Sequence, residues 1–191
     1  MVTTTAKLTL DEYREQEAIA QVRHEYRNGD LIEMPGGSVN HSHLLMALYV
    51  LFESMLDNAD YEAFNSDMRL WIPERNQATY PDLMVVTGEP IVNGDRRDEI
   101  VNPTLIAEVL SPSTSSYDRG DTFAAYRTVP SFQEYLLVEQ ERPAIEHYWK
   151  TDDGRWHLEE LRGLDAVVNL EHLPVQLAVA QLYRRVRFEG S

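Results

Sequence analysis

Two short apolar runs in this chain each carry one embedded carboxylate: Asp82 within Tyr80-Pro81-Asp82-Leu83-Met84-Val85-Val86, and Glu108 within Leu105-Ile106-Ala107-Glu108-Val109-Leu110. Apolar runs of this length read as buried strands. An ionised Asp or Glu in such a setting costs several kcal/mol unless a cationic side chain or a bound cation offsets it. Two carboxylates on neighbouring strands also repel, which raises the pKa of one of them. A divalent ion between them reverses that local electrostatics. The pattern therefore points to metal ligation or to a perturbed acid, and the elements around it must hold two charges where none is cheap.

The composition narrows the chemistry. There is no cysteine, so disulfides, thiolate nucleophiles and sulfur-bound zinc are excluded, and any metal site uses oxygen or imidazole ligands. Lysine occurs only at Lys7 and Lys150; the other basic residues are arginines. The formal charge of -15 repels polyanions and gives no support to generic nucleic-acid binding, although a locally placed Arg and a bound Mg²⁺ can create a positive site on an acidic protein. With 191 residues and 43% hydrophobic content, one sizeable core and a single domain over 1–191 are expected. No apolar run approaches the roughly 20 residues that cross a bilayer. The Thr-rich stretch from Met1 to Lys7 also lacks the apolar core of a signal peptide. These features predict a cytoplasmic chain with no membrane partner.

The positioning elements follow from local pattern. Thr9-Leu10-Asp11-Glu12 fits a capping box and predicts a helix from Leu10 to about Glu17. Asn28-Gly29 predicts a hairpin of His24 to Arg27 with Asp30 to Met34, ended by Pro35-Gly36-Gly37. Apolar residues at Leu44, Leu45, Leu48, Leu51, Phe52, Met55 and Leu56 recur every three or four positions, as on an amphipathic helix. Strands are expected at Tyr61 to Asn65 and Met68 to Ile72, then at the Asp82 run, a polar loop from Gly88 to Pro103, and the Glu108 run. A turn at Ser111-Pro112-Ser113-Thr114 leads into a helix from Tyr117 to Tyr126. A meander of Glu134 to Val138, Ile145 to Trp149 and Trp156 to Leu161 follows, and Leu177 to Val186 forms a short helix.

These segments, in this order and wording, resemble the Uma-two family of restriction-endonuclease-like proteins, a domain of unknown function in the PD-(D/E)XK nuclease superfamily. The resemblance spans most of the chain and rests on the capped first helix, HEYRNGDLIEMPGGS, His41 at the start of the second helix, YPDLMVV, LIAEVLSPST, YDRGDTFAAYR and PSFQEYLLVEQ. It implies an α/β (α+β) fold: a restriction-endonuclease-like mixed β-sheet flanked by helices, with an additional antiparallel meander. It further implies Asp82 and Glu108 as ligands of Mg²⁺ or Mn²⁺, Glu25 as a third carboxylate binding directly or through water, His41 near the site, and metal-assisted hydrolysis of DNA phosphodiesters. A homodimer is also implied, with the strand edges of the meander as one candidate interface.

The chain departs from the motif at its lysine. The position two residues after Glu108 is Leu110, and the helix position where family members often carry a lysine is Thr122. Arg119 is the nearest cationic substitute in sequence, able to neutralise phosphate charge but too basic to act as a base. A catalytically inactive binding module is therefore the alternative function.

Each residue also has a plainer reading. Asp82 can cap a turn after Pro81, Glu108 can pair with Arg119, and Glu25 can be a solvated strand residue. Tyr117 and Tyr126 fit core packing better than stacking on a base. His43, Asp118 and Asp121 read as surface residues, and Arg184, Arg185 and Arg187 as a solvated tail.

Overall fold

The computed structural model describes residues 7–34, 36–56, 60–112 and 115–188. Residues 1–6, together with Pro35, Ser113 and Thr114 of the two predicted turns, lie outside those ranges. Helix α1 (Leu10–Glu17) begins where Thr9 and Glu12 cap one another: the Glu12 N–H donates to Thr9 Oγ1 and the Thr9 N–H donates to Glu12 Oε2. Its Tyr13 stacks on Tyr26 of strand β1 (His24–Arg27) with 5.1 Å between ring centroids. Strand β2 (Asp30–Glu33) returns antiparallel to β1. Asn28 and Gly29 between them take φ of 49° and 94°, the two positive values that a type I′ turn requires. A Cβ at Gly29 would lie 2.5 Å from Lys7 Cβ, so only glycine fits there.

Helix α2 (Val39–Met55) buries Leu44, Leu48 and Phe52, the spacing of one helix face. It is followed by β3 (Tyr61–Asn65), β4 (Arg69–Ile72), β5 (Gln77–Thr79), β6 (Leu83–Thr87), β7 (Glu99–Ile100) and β8 (Leu105–Leu110). A helical crossover then runs through α3 (Ser115–Tyr117), a π-helical turn (Asp118–Thr122) and α4 (Phe123–Tyr126). Strands β9 (Glu134–Glu139), β10 (Ala144–Lys150) and β11 (Trp156–Arg162) form the meander, and β12 (Val167–Asn169), β13 (Gln176–Ala178) and α5 (Val179–Leu182) close the described chain. Among the described residues, no helix is long and apolar enough to cross a membrane.

The main sheet has six strands in the order β11-β10-β9-β8-β6-β3, so the meander is not an appendage but continues the sheet that carries Glu108. Strand β8 runs parallel to β9 and antiparallel to β6, and the crossover helix makes the parallel connection possible. Alternation divides the side chains. Leu83, Val85, Leu105, Ala107, Val109, Leu136 and Val138 face α2 and α5, whereas Met84, Val86, Ile106, Leu110, Tyr135 and Leu137 face an aromatic layer with Phe123, Tyr126 and Phe132.

A second sheet, β2-β1-β5-β4-β7, packs Leu70, Ile72 and Ile100 into that aromatic side. Two of its strands depart from the sequence expectation. Strand β7 lies inside the predicted polar loop, and its Glu99 is fully buried, held by Arg69 Nε at 3.0 Å and Arg14 Nη2 at 2.5 Å. Strand β5 is only three residues long. Where one helix was expected from Leu177 to Val186, β13 and the four-residue α5 are found instead, because Leu177 pairs with Val168 across a two-stranded ribbon.

Candidate active site

The antiparallel register of β6 and β8 pairs Leu83 with Ala107, so the residue just before β6, Asp82, falls opposite Glu108. The two are tied reciprocally. The Asp82 N–H donates to Glu108 Oε2 at 3.0 Å, and the Val109 N–H donates to Asp82 Oδ2 at 2.8 Å. Pro81 has no N–H to give, and the carboxylates supply the pairing where the backbone ladder ends. Glu108 lies on the same face of β8 as Ile106 and Leu110, and the buried Tyr126 hydroxyl donates to its Oε1 at 2.7 Å. Burial in this layer, then the charges of Asp82 and Asp118, push the Glu108 carboxyl well above the usual glutamate range.

His41 approaches from the first turn of α2. Its Nε2 lies 3.2 Å from Asp82 Oδ2, and this hydrogen bond holds the imidazole pKa above its ordinary value against the opposing effect of burial. Ser38 caps that turn by accepting the His41 N–H at 3.0 Å and bonds Gln140 on the far side. Gly37 leaves room for the ring: a Cβ there would come within 2.9 Å of His41 Nδ1.

The second sheet closes the other side. Glu25 on β1 has a side chain only 15% exposed, accepts a hydrogen bond from Thr79 on β5, and lies 3.3 Å from Arg27 Nη2. The Arg27 guanidinium covers the Tyr117 ring at 4.2 Å and bonds its hydroxyl, which also accepts from Gln77 Nε2 at 3.3 Å. Tyr117, Asp118 and Thr122 come from the crossover. Glu25, Arg27, Thr79, Tyr117, Asp118 and Thr122 line a cleft of about 690 Å³ together with Asp82, Glu108 and His41.

Sequence comparison places this site in a family. Residues 10–181 match the model of the Uma2 family, described as "Putative restriction endonuclease". The chain belongs to the Uma2 family. Two uncharacterized Synechocystis proteins are similar along nearly their whole length: sll1609 is 40% identical over 175 residues, covering 92% of this chain and 99% of that protein, and slr1290 is 39% identical over 184 residues, covering 95% and 94%. The fold is shared with the crystal structure of a "putative nuclease belonging to DUF820" from Anabaena variabilis, with a TM-score of 0.74 and 20% identity, covering 93% of this chain and 98% of that one.

In this Uma2 chain the five residues expected at the site separate into two groups. Asp82, Glu108, Glu25 and His41 line one cleft, and Arg119 does not. The Arg119 guanidinium points across the sheet to Glu146 at 2.7 Å and Glu139 at 2.9 Å, so it neither pairs with Glu108 nor faces the carboxylates. The π-helical turn carries Asp118 and Thr122 on its cleft side and Arg119 over β9 and β10. Leu110, at the motif lysine position, is buried in the aromatic layer. Thr122 is buried at the cleft wall, and the Lys and Arg side chains among the described lining residues reduce to Arg27.

Three residues whose sequence pattern points to packing or the surface sit at or beside the cleft. Asp118 is buried, Tyr117 lines the cleft, and Tyr126 orients Glu108 through its hydroxyl. The signal for Tyr126 was a polar atom on a residue destined for the core, which needs a partner. His43 is half-buried, with Nδ1 3.0 Å from the Arg185 carbonyl, and the Arg187 carbonyl accepts from Asn40, so the C-terminal segment rests against α2.

Hard oxygen donors on Asp82 and Glu108 are the type that Mg²⁺ and Mn²⁺ prefer, and a cation there would offset both the burial and the repulsion that raise Glu108. Among the described residues, no three His, Asp or Glu side chains already converge into a cation cage. The pair would supply two oxygen ligands to a divalent ion, and other oxygen donors would complete its shell.

Proposed function

We propose that this chain is a divalent-metal-dependent nuclease hydrolysing DNA phosphodiesters, with Asp82 and Glu108 as metal ligands. The observation that carries the reading is the reciprocal Asp82–Glu108 pair in the cleft, with the Glu108 carboxyl raised by its surroundings. Asp82 and Glu108 would hold the Mg²⁺ or Mn²⁺, which would supply Lewis-acid chemistry at the phosphate. Glu25 contributes a third carboxylate, directly or through water. Tyr126 fixes the Glu108 rotamer, and His41 holds a proton at Nε2 against Asp82 Oδ2, keeping that carboxylate aimed at the cleft.

The test is cleavage of circular single-stranded DNA and of supercoiled plasmid in Mg²⁺ or Mn²⁺ by the native protein, Asp82→Asn and Glu108→Gln. Cleavage of either DNA by the native protein that both substitutions and a chelator abolish is expected; undiminished cleavage by both variants contradicts the assignment. A second reading, an inactive nuclease-fold binding module, is favoured by buried Leu110 and by Thr122 at the cleft wall. Cleavage by Thr122→Lys where the native protein has none supports it, and native cleavage removes it.

A further inference from the structure

Resting on the nuclease reading, we infer that Arg27 is the phosphate-contacting cation of this site and that the cleft takes an unpaired nucleic-acid strand rather than a duplex. Arg27 projects from β1 on the same side as Glu25, two residues away, and so lines the same cleft as the Asp82–Glu108 pair. Its guanidinium is held by stacking on Tyr117, by the Tyr117 hydroxyl and by Glu25. Both recorded hydrogen bonds leave from Nη2. The Nε–H is buried and has no hydrogen-bond partner among the described residues. A buried N–H without an acceptor is costly, so the protein's own described acceptors leave this guanidinium incompletely satisfied. A guanidinium pre-oriented in this way offers a planar fork to phosphate oxygens at little entropic cost.

The rest of the lining selects the strand. Glu25, Glu33, Asp82, Glu108, Asp118 and Glu141 face the cleft against that single arginine. A duplex is held by many phosphate contacts along both backbones, many made by cations, and the described lining offers one arginine against several carboxylates that repel flanking phosphates. A single strand needs only one nucleotide inserted, with its base against apolar or aromatic surface. Ile32, Met34, Tyr80, Pro112 and Tyr117 supply that surface, and about 690 Å³ lies within the roughly 300–1,000 Å³ that small ligands occupy.

The test is fluorescence anisotropy of a labelled single-stranded deoxyoligonucleotide, and of the same sequence as a duplex, with Ca²⁺ in place of Mg²⁺. The native protein should bind the single strand more tightly than the duplex. Arg27→Gln should weaken single-strand binding about tenfold or more, as expected for loss of a charge-assisted phosphate contact. It should also lower the slope of log affinity against log salt by about 0.7, the contribution of one single-strand phosphate. A residue that only supported the fold would leave that slope unchanged. Arg27→Lys keeps the charge and serves if Arg27→Gln fails to fold: the slope should persist while affinity falls with the loss of the fork.

Native affinity or an unchanged slope in Arg27→Gln, a preference for duplex, or absence of strand binding by a protein that takes up Mn²⁺ each overturns the inference. The two readings fail separately. A native protein that takes up no Mn²⁺ but loses strand affinity with Arg27→Gln sinks metal dependence and sustains the role of Arg27.

Discussion

Glu108 is raised above the ordinary glutamate range mainly by burial, and that shift has a sign in stability. The unfolded chain gives up the Glu108 proton first as pH rises past the ordinary value, about 4.3, while the folded chain still keeps it. Stability supplied by this residue is therefore present at low pH and is lost between that value and the raised native one. Glu108→Gln keeps an acceptor for the Asp82 N–H and a partner for Tyr126 without the charge. The variant should melt higher than the native protein at pH 8 in the absence of metal and differ little at pH 4. Thermal melts at the two pH values check this; a native protein that is the more stable of the two at pH 8 would mean the site already holds the charge comfortably. This residue was legible in the sequence because a carboxylate inside Leu-Ile-Ala-Glu-Val-Leu has no solvated face to occupy. Arg27 was not, since its partner Tyr117 lies 90 positions away and only the fold joins them.

At the scale of elements, α1, the first hairpin, α2, β3 and β8 follow the local pattern because capping, turn chemistry and periodicity agree there. Strands β5 and β7 escape that pattern. Two or three residues carry no measurable alternation, and β7 is held by the buried Glu99 with Arg69 and Arg14 rather than by apolar side chains alone. Removing the Glu99 charge leaves Arg69 with only the half-exposed Asp98 as a carboxylate partner and Arg14 with only the exposed Asp11, so Glu99→Gln should cost about 3–5 kcal/mol in a urea titration. A cost below 1 kcal/mol would mean that the network is dispensable.

The π-helical turn is the other element that pattern reading missed, since an extra residue in a turn shifts the phase of the side chains on either side of it. Arg119 on this turn pairs with Glu139 and Glu146 and does not line the cleft. Arg119→Gln should accordingly lower stability by about 1 kcal/mol or less, the scale of part-exposed ion pairs, and leave Mn²⁺ uptake at native strength. A lost metal site in that variant would place Arg119 back at the cleft.

For the whole molecule, two sheets meet so that the Asp82–Glu108 ends of β6 and β8 and the Glu25–Arg27 strand share one opening. The family resemblance in the sequence anticipates the main sheet and its carboxylates. The second sheet emerges only from pairing between β1 and β5, and between β4 and β7, contacts that no local motif encodes. With a formal charge of -15, the nuclease proposal requires attraction to a polyanion to come from the site itself, from Arg27 and from a cation that the carboxylates would hold.

That claim is tested most directly by isothermal titration of Mn²⁺ into the native protein and into Glu108→Gln at pH 7 and pH 8. The account predicts a single divalent site in the native protein, tighter at the higher pH because Glu108 must lose its proton to ligate, and no such site in the variant. Matching isotherms for the two proteins, or no uptake by either at millimolar Mn²⁺, would contradict it.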